Sequence, residues 1–193
     1  MNRLKKERIT ISIIVINVLV YLYQLYLGNM NPELQYFFMV DNSIHPGGNI
    51  KTIITNMFIH KDILHLGMNM LALYFIGTFL ERSISEKKYI MLYFVSGLSA
   101  SLISFLYIVF VSPQIVIGAS GAIFGLWAYY SLYKNEFNEF LLIAGLSNIA
   151  MIFGGLPIAW YAHLGGAIAG IFLWKIEQSN INNKRKNIYK RGN

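Results

Sequence analysis

Cysteine is absent from this sequence. That excludes disulfides, thiol catalysis and thiolate metal sites, and it leaves the redox compartment unmarked. Charge is scarce as well: 13% of the 193 residues are charged, and only 9 are acidic. An ordinary soluble domain is about a quarter charged, so this chain has too little polar surface to cover itself in water. Apolar residues fill the gap, with 55% of the chain hydrophobic and a mean hydropathy of +0.48. The composition reads as a polytopic membrane protein, and the length fits one compact bundle. A formal net charge of +7 raises the question of nucleic acid. The basic residues cluster at the ends of apolar runs, where topology signals and anionic lipid account for them. The expected partner is the bilayer, with no nucleic acid.

Six apolar segments stand out, at about 9–27, 63–80, 89–111, 117–133, 140–153 and 158–176. The first follows a basic start, Arg3, Lys5, Lys6 and Arg8, as a signal peptide would. At about 1.5 Å per residue it reaches about 28 Å, close to the hydrocarbon thickness. No small-x-small cleavage site follows, so it reads as a retained transmembrane helix. A long connection, 28–61, holds Pro32, Pro46, Gly47, Gly48 and the run Tyr36-Phe37-Phe38, which suits a loop lying in the membrane interface. The fifth segment is short for a crossing and carries Asn148.

Loop charge sets the orientation. Lysine and arginine gather before segment 1, after segment 2 (Arg82, Lys87, Lys88), after segment 4 (Lys134) and from Lys175 onward, whereas the other connections hold only Lys51 and Lys61. The positive-inside rule then predicts an all-α bundle of six transmembrane helices with both termini cytoplasmic. The expected organisation is a basic tail over 1–8, a membrane domain over 9–177 and a second basic tail over 178–193.

Segments 2, 4 and 6 run from outside to inside under this topology. His65, Asn69, Ser120 and His163 all fall in their first turns, hence in the outer third of the bilayer. Polar side chains in spanning segments are costly and point to function by default. Ser120 sits in Gly118-Ala119-Ser120-Gly121, where small neighbours leave room for a substrate backbone. His163 sits in Ala162-His163-Leu164-Gly165-Gly166, and Gly166 and Gly170 give its helix a smooth face to meet the glycines of segment 4. A serine needs a base to take its proton, and a parallel pair of glycine-faced helices supplies one. The outer side offers only Glu33, Asp41 and Asp62, all in or beside the long loop, so the expected site is a dyad. His65 and Asn69, about 40° apart around a helix, share a face as candidate donors to an oxyanion, with the Ser120 N–H. The chemistry expected of this set is peptide-bond hydrolysis within the membrane.

Each residue has a plainer use. A membrane serine most often bonds its own backbone or fills a tight contact, the reading given to Ser96, Ser99, Ser101 and Ser104. Asn69 alone would serve as an interhelical hydrogen bond. A zinc site of His60, His65 and His163 is the competing use of histidine. No His-Glu-x-x-His pattern is present, and neither a metal nor another cofactor is expected.

These residues resemble the rhomboid family of intramembrane serine proteases over about 9–177. The resemblance rests on Gly118-Ala119-Ser120-Gly121 with Phe124, on Ala162-His163-Leu164-Gly165-Gly166 with Gly170, and on His60-x4-His65-x3-Asn69. It implies Ser120 as nucleophile and His163 as base and later acid. It also implies His65, Asn69 and the Ser120 amide around the oxyanion, and Phe124 packed on the His163 ring. Gly118, Gly121 and Gly166 would support the substrate cavity, and Glu81-Arg82 matches a position of structural role. The implied fold is a six-helix core around the fourth helix, and the implied substrates are single-pass membrane proteins. The implied location is a multi-pass place in a membrane, with the site open to the extracytoplasmic side of a bacterial plasma membrane. The chain departs from the family at Asn49-Ile50-Lys51-Thr52, where Trp-Arg is common, which bears on anchoring of the long loop. A catalytically silent relative that binds transmembrane clients is the alternative. The short fifth segment and Gly154-Gly155-Leu156-Pro157 form a candidate gate for lateral substrate entry, tested by crosslinking it to segment 2.

Overall fold

The computed structural model describes residues 7–153 and 159–191. Its elements are helices throughout: α1 (Arg8–Met30), α2 (Pro32–Asp41), α3 (Thr52–Thr55), a 3-10 turn (Asn56–Phe58), α4 (Ile63–Ser83), α5 (Glu86–Phe110), α6 (Ser120–Lys134), α7 (Phe137–Phe153) and α8 (Trp160–Arg191). Helices α1, α4 and α5 are long and apolar enough to cross a membrane, and Phe137–Ile149 is a shorter apolar stretch. The six apolar segments of the sequence each fall on one helix, namely α1, α4, α5, α6, α7 and α8.

Helix α6 is the hub, flanked by α4, α5, α7 and α8. Ala122, Ile123, Leu126, Ala128 and Tyr129 of α6 are all buried. Asn135 ends this helix in the left-handed conformation, φ 62°, a conformation asparagine tolerates at a helix C-terminus. Between α6 and α8, Gly166 packs on the Gly121 carbonyl and Gly170 on the Gly125 carbonyl, with no room for a Cβ at either. Lipid tails are as apolar as leucine, so close backbone packing of this kind is what holds membrane helices together. The α5 serines behave as small polar packing residues. Ser104 bonds the Ala100 carbonyl at 2.7 Å and Ser99 the Gly165 carbonyl at 2.8 Å.

Glu81, near the C-terminal end of α4, caps α1. Its carboxylate accepts from the Ile9 and Thr10 N–H groups, each at 2.8 Å, and from the Thr10 hydroxyl at 2.7 Å. The first N–H groups of a helix have no intrahelical partner, and α1 has no side-chain cap of its own. Arg82 pairs with Glu7. At the same end Glu177 of α8 receives Lys88 from α5 and the Tyr129 hydroxyl from α6.

Two features depart from the expected outline. The long connection folds into α2, α3 and the 3-10 turn. It is tied down by an isolated antiparallel bridge, Ile44 to Val116, with both N–H···O distances 3.0 Å. At the position where the family often has Trp-Arg, Lys51 pairs with Asp41 at 2.6 Å and the Thr52 hydroxyl bonds the Asn49 carbonyl, also at 2.6 Å. The other departure is α8, which continues past Ile176 to Arg191 through the basic stretch. Apolar character ends there, but no proline or glycine interrupts the backbone before Gly192. The candidate gate residues Gly154-Gly155-Leu156-Pro157 lie outside the described residues.

Candidate active site

The segment before α6 makes a tight entry. Gly118 has φ +115°, a conformation that favours glycine, and a Cβ there would also lie 2.8 Å from the His65 ring. Its N–H donates to the Asn56 carbonyl at 2.8 Å, while the Asn56 side chain donates to Ser101 Oγ at 2.9 Å. This pins the loop so that Ser120 becomes the first residue of α6. The Ser120 N–H is therefore one of the helix's unpaired donors.

His163 lies in the first turn of α8, and its Nε2 stands 3.0 Å from Ser120 Oγ. The Phe124 ring stacks on the imidazole, centroids 4.0 Å apart and planes 2° from parallel. The close glycine contacts below, Gly121 with Gly166 and Gly125 with Gly170, set this separation. The other imidazole nitrogen, Nδ1, is 2.8 Å from Asn148 Oδ1 of α7. The Asn148 amide nitrogen donates to the Ala144 carbonyl at 2.7 Å, which turns its oxygen toward the ring.

His65 and Asn69 face the same space from α4. Asp62 caps that helix, accepting the His65 N–H at 2.8 Å. The Lys61 N–H lies 3.5 Å from His65 Nδ1, which leaves Nε2 beside Gly118 free to donate. Asn69 is buried, and its amide gives one hydrogen to the His65 carbonyl at 2.8 Å. One N–H remains to donate. These groups line a cavity of about 940 Å³ with Gly118, Ser120, Gly121, Phe124 and His163. Gly166 lies behind it, in the α6–α8 seam.

His60 is fully buried, with neither ring nitrogen hydrogen-bonded, and its ring meets His65 edge-on at 5.0 Å. Burial, and then the neighbouring His65, lower its pKa to about 4. Gln24 of α1 holds its backbone in both directions, at 2.9 and 3.3 Å. Among the described residues no three His, Cys, Asp or Glu side chains converge as a metal site.

Asn56, Gln24 and Asn148 thus shape the site, although the sequence marks only Asn148, as a polar residue in an apolar segment. A serine hydroxyl bonded to an imidazole, beside free N–H donors, is equipped for acyl transfer.

A Rhomboid-domain family model matches residues 47–178. The chain is similar to "Rhomboid protease GluP" of Bacillus subtilis, 32% identical over 154 residues, 75% of this chain and 30% of that protein. It is similar to "RHOMBOID-like protein 2" of Arabidopsis thaliana, 33% identical over 130 residues, covering 63% and 40%. "Rhomboid protein 1, mitochondrial" of Saccharomyces cerevisiae is 33% identical over 149 residues, covering 66% and 42%. The matched region spans less than half the length of each of these relatives.

Proposed function

This chain belongs to the rhomboid family, and from that premise we propose that it is an intramembrane serine endopeptidase. The observation that carries the reading is the 3.0 Å approach of His163 Nε2 to Ser120 Oγ at the head of α6, inside the cavity. Ser120 Oγ attacks the scissile carbonyl carbon while its proton passes to His163 Nε2. The carbonyl oxygen becomes an oxyanion, and His65, Asn69 and the Ser120 N–H donate to it. His163 then returns the proton to the leaving amide nitrogen, which departs as an amine and leaves an acyl-Ser120 ester. A water, deprotonated by His163, hydrolyses the ester and restores the serine. No cofactor enters.

Loop charge supports six crossings with both termini in the cytoplasm and the cavity open to the extracytoplasmic side of a bacterial plasma membrane. Helix α6 has 15 residues and is about 22 Å long, short of a hydrocarbon core of about 30 Å. With Lys134 at the inner interface, Ser120 lies below the outer surface, where a cavity brings it water. The substrates are transmembrane proteins with a segment that unwinds enough to expose an amide.

A fluorophosphonate probe in detergent tests the reading. Labelling of the wild type and of Ser104→Ala, lost in Ser120→Ala and His163→Ala, is the expected result. No labelling of any folded version, beside an active control enzyme, overturns it in favour of a silent client-binding module.

A further inference from the structure

We infer that Asn148 is the positioning residue of the base, a neutral third member that fixes the tautomer and ring plane of His163. This rests on the proteolytic reading for its purpose, but the hydrogen-bond geometry stands apart from it. An amide oxygen only accepts. With Asn148 Oδ1 2.8 Å from His163 Nδ1, that nitrogen carries the hydrogen. The neutral imidazole then presents its lone pair at Nε2, 3.0 Å from the Ser120 hydroxyl. The Asn148 amide cannot flip without loss, because its NH₂ is committed to the Ala144 carbonyl at 2.7 Å.

The opposite tautomer would place a hydrogen on Nε2 and disable it as an acceptor of the Ser120 proton. In water the two neutral tautomers compete, and which one prevails is set by the bond the other nitrogen makes. Phe124 stacking holds the ring's plane but does not choose between nitrogens. Asn148 chooses. A purely structural asparagine joining α7 to α8 would need only some acceptor or donor on α8, whereas this one meets the base itself.

The arrangement also ties the base to α7. That helix joins the bundle through an apolar seam, Phe140 and Ala144 against Ala128 and Ala167, while Leu141, Leu142, Leu146 and Ile149 are exposed. The base is therefore fully set only while α7 is docked.

Two readouts on the full chain in detergent test the assignment. Nitrogen-15 spectra of histidine-labelled protein, with His163 assigned by its loss in His163→Ala, report the tautomer without any activity. The wild type is expected to show hydrogen on Nδ1, and Asn148→Leu a mixture or the reverse. Fluorophosphonate labelling rate against pH is the second. General acid–base catalysis supplies about 10²- to 10⁴-fold, so Asn148→Leu is expected to slow labelling at least about tenfold. Asn148→Asp keeps the acceptor and adds a charge that favours the imidazolium. It is expected to retain labelling, with the acid limb moved to higher pH. Lys61, His45 and His65 are the other titratable groups lining the cavity among the described residues, and no carboxylate is there.

Wild-type hydrogen on Nε2, or Asn148→Leu labelling at the wild-type rate and pH profile, overturns the inference. Should Asn148→Leu fail to fold, the wild-type spectrum and Asn148→Asp still decide it. Should no version label, the proteolytic reading fails while the spectrum still decides the Asn148 assignment.

Discussion

Gly166 of α8 rests directly on the carbonyl of Gly121 in α6, with no space for even a methyl group between them. One residue before Gly121 is Ser120, and three before Gly166 is His163, so this contact sets the separation of these two side chains. Gly166→Ala forces the helices apart, because backbone cannot yield as a flexible side chain does. The expected cost is about 1–3 kcal/mol of stability, the range for overpacking, with labelling of Ser120 abolished. Gly67→Ala and Gly145→Ala, whose Cβ positions are open, are expected to leave both unchanged or raise stability slightly. Thermal denaturation in detergent and probe labelling read the contrast.

Glu81 offers a separate test, on stability alone. It accepts three hydrogen bonds from the start of α1. Glu81→Ala leaves the buried Thr10 N–H and the part-buried Ile9 N–H unpaired and is expected to cost about 1.5–3 kcal/mol. Glu81→Gln keeps an acceptor oxygen and costs less. In both variants the labelling rate per folded molecule, measured below the melting transition, is expected to match the wild type, since Glu81 sits at the opposite end of the bundle.

Asn69→Ala should show the reverse pattern. Among the described residues the side chain bonds the carbonyl one turn back and no other group, so melting should change little. In the proposed mechanism it donates to the oxyanion, so its removal should slow labelling about 10²- to 10³-fold. A wild-type labelling rate for this variant would remove it from the oxyanion set.

His60 gives a pH dependence. Burial lowers its pKa from 6.5 to about 4, so between those values the unfolded chain binds more protons than the folded one. Stability is then full above about 6.5 and falls as the pH drops toward about 4. Replacing His60 by Phe, which cannot charge, is expected to flatten this limb. The difference between the two melting curves across pH isolates His60 from the other titrating groups.

Much of the architecture is legible without coordinates, because hydropathy and loop charge are local properties. A helix is apolar where it faces lipid regardless of its neighbours, so the six apolar segments coincide with α1, α4, α5, α6, α7 and α8. Position along a helix fixes relative depth, which places His65, Asn69, Ser120 and His163 at one level before any packing is known. Spacing of four between Gly121 and Gly125, and between Gly166 and Gly170, marks matching smooth faces.

Composition and order along the chain are one-dimensional, and they account for membrane character, helix order, the common level of the polar residues and the faces able to approach. The tertiary structure alone decided which groups touch. Asn148 meets His163 from fifteen residues away, Glu81 reaches back to cap α1 across seventy-one, and Ile44 pairs with Val116 to tie down the first connection. These depend on how far each helix is rotated about its own axis and on where loops return. Hydropathy is blind to both, because a helix can turn about its axis without changing its order or depth, whereas a hydrogen bond is lost within about an ångström.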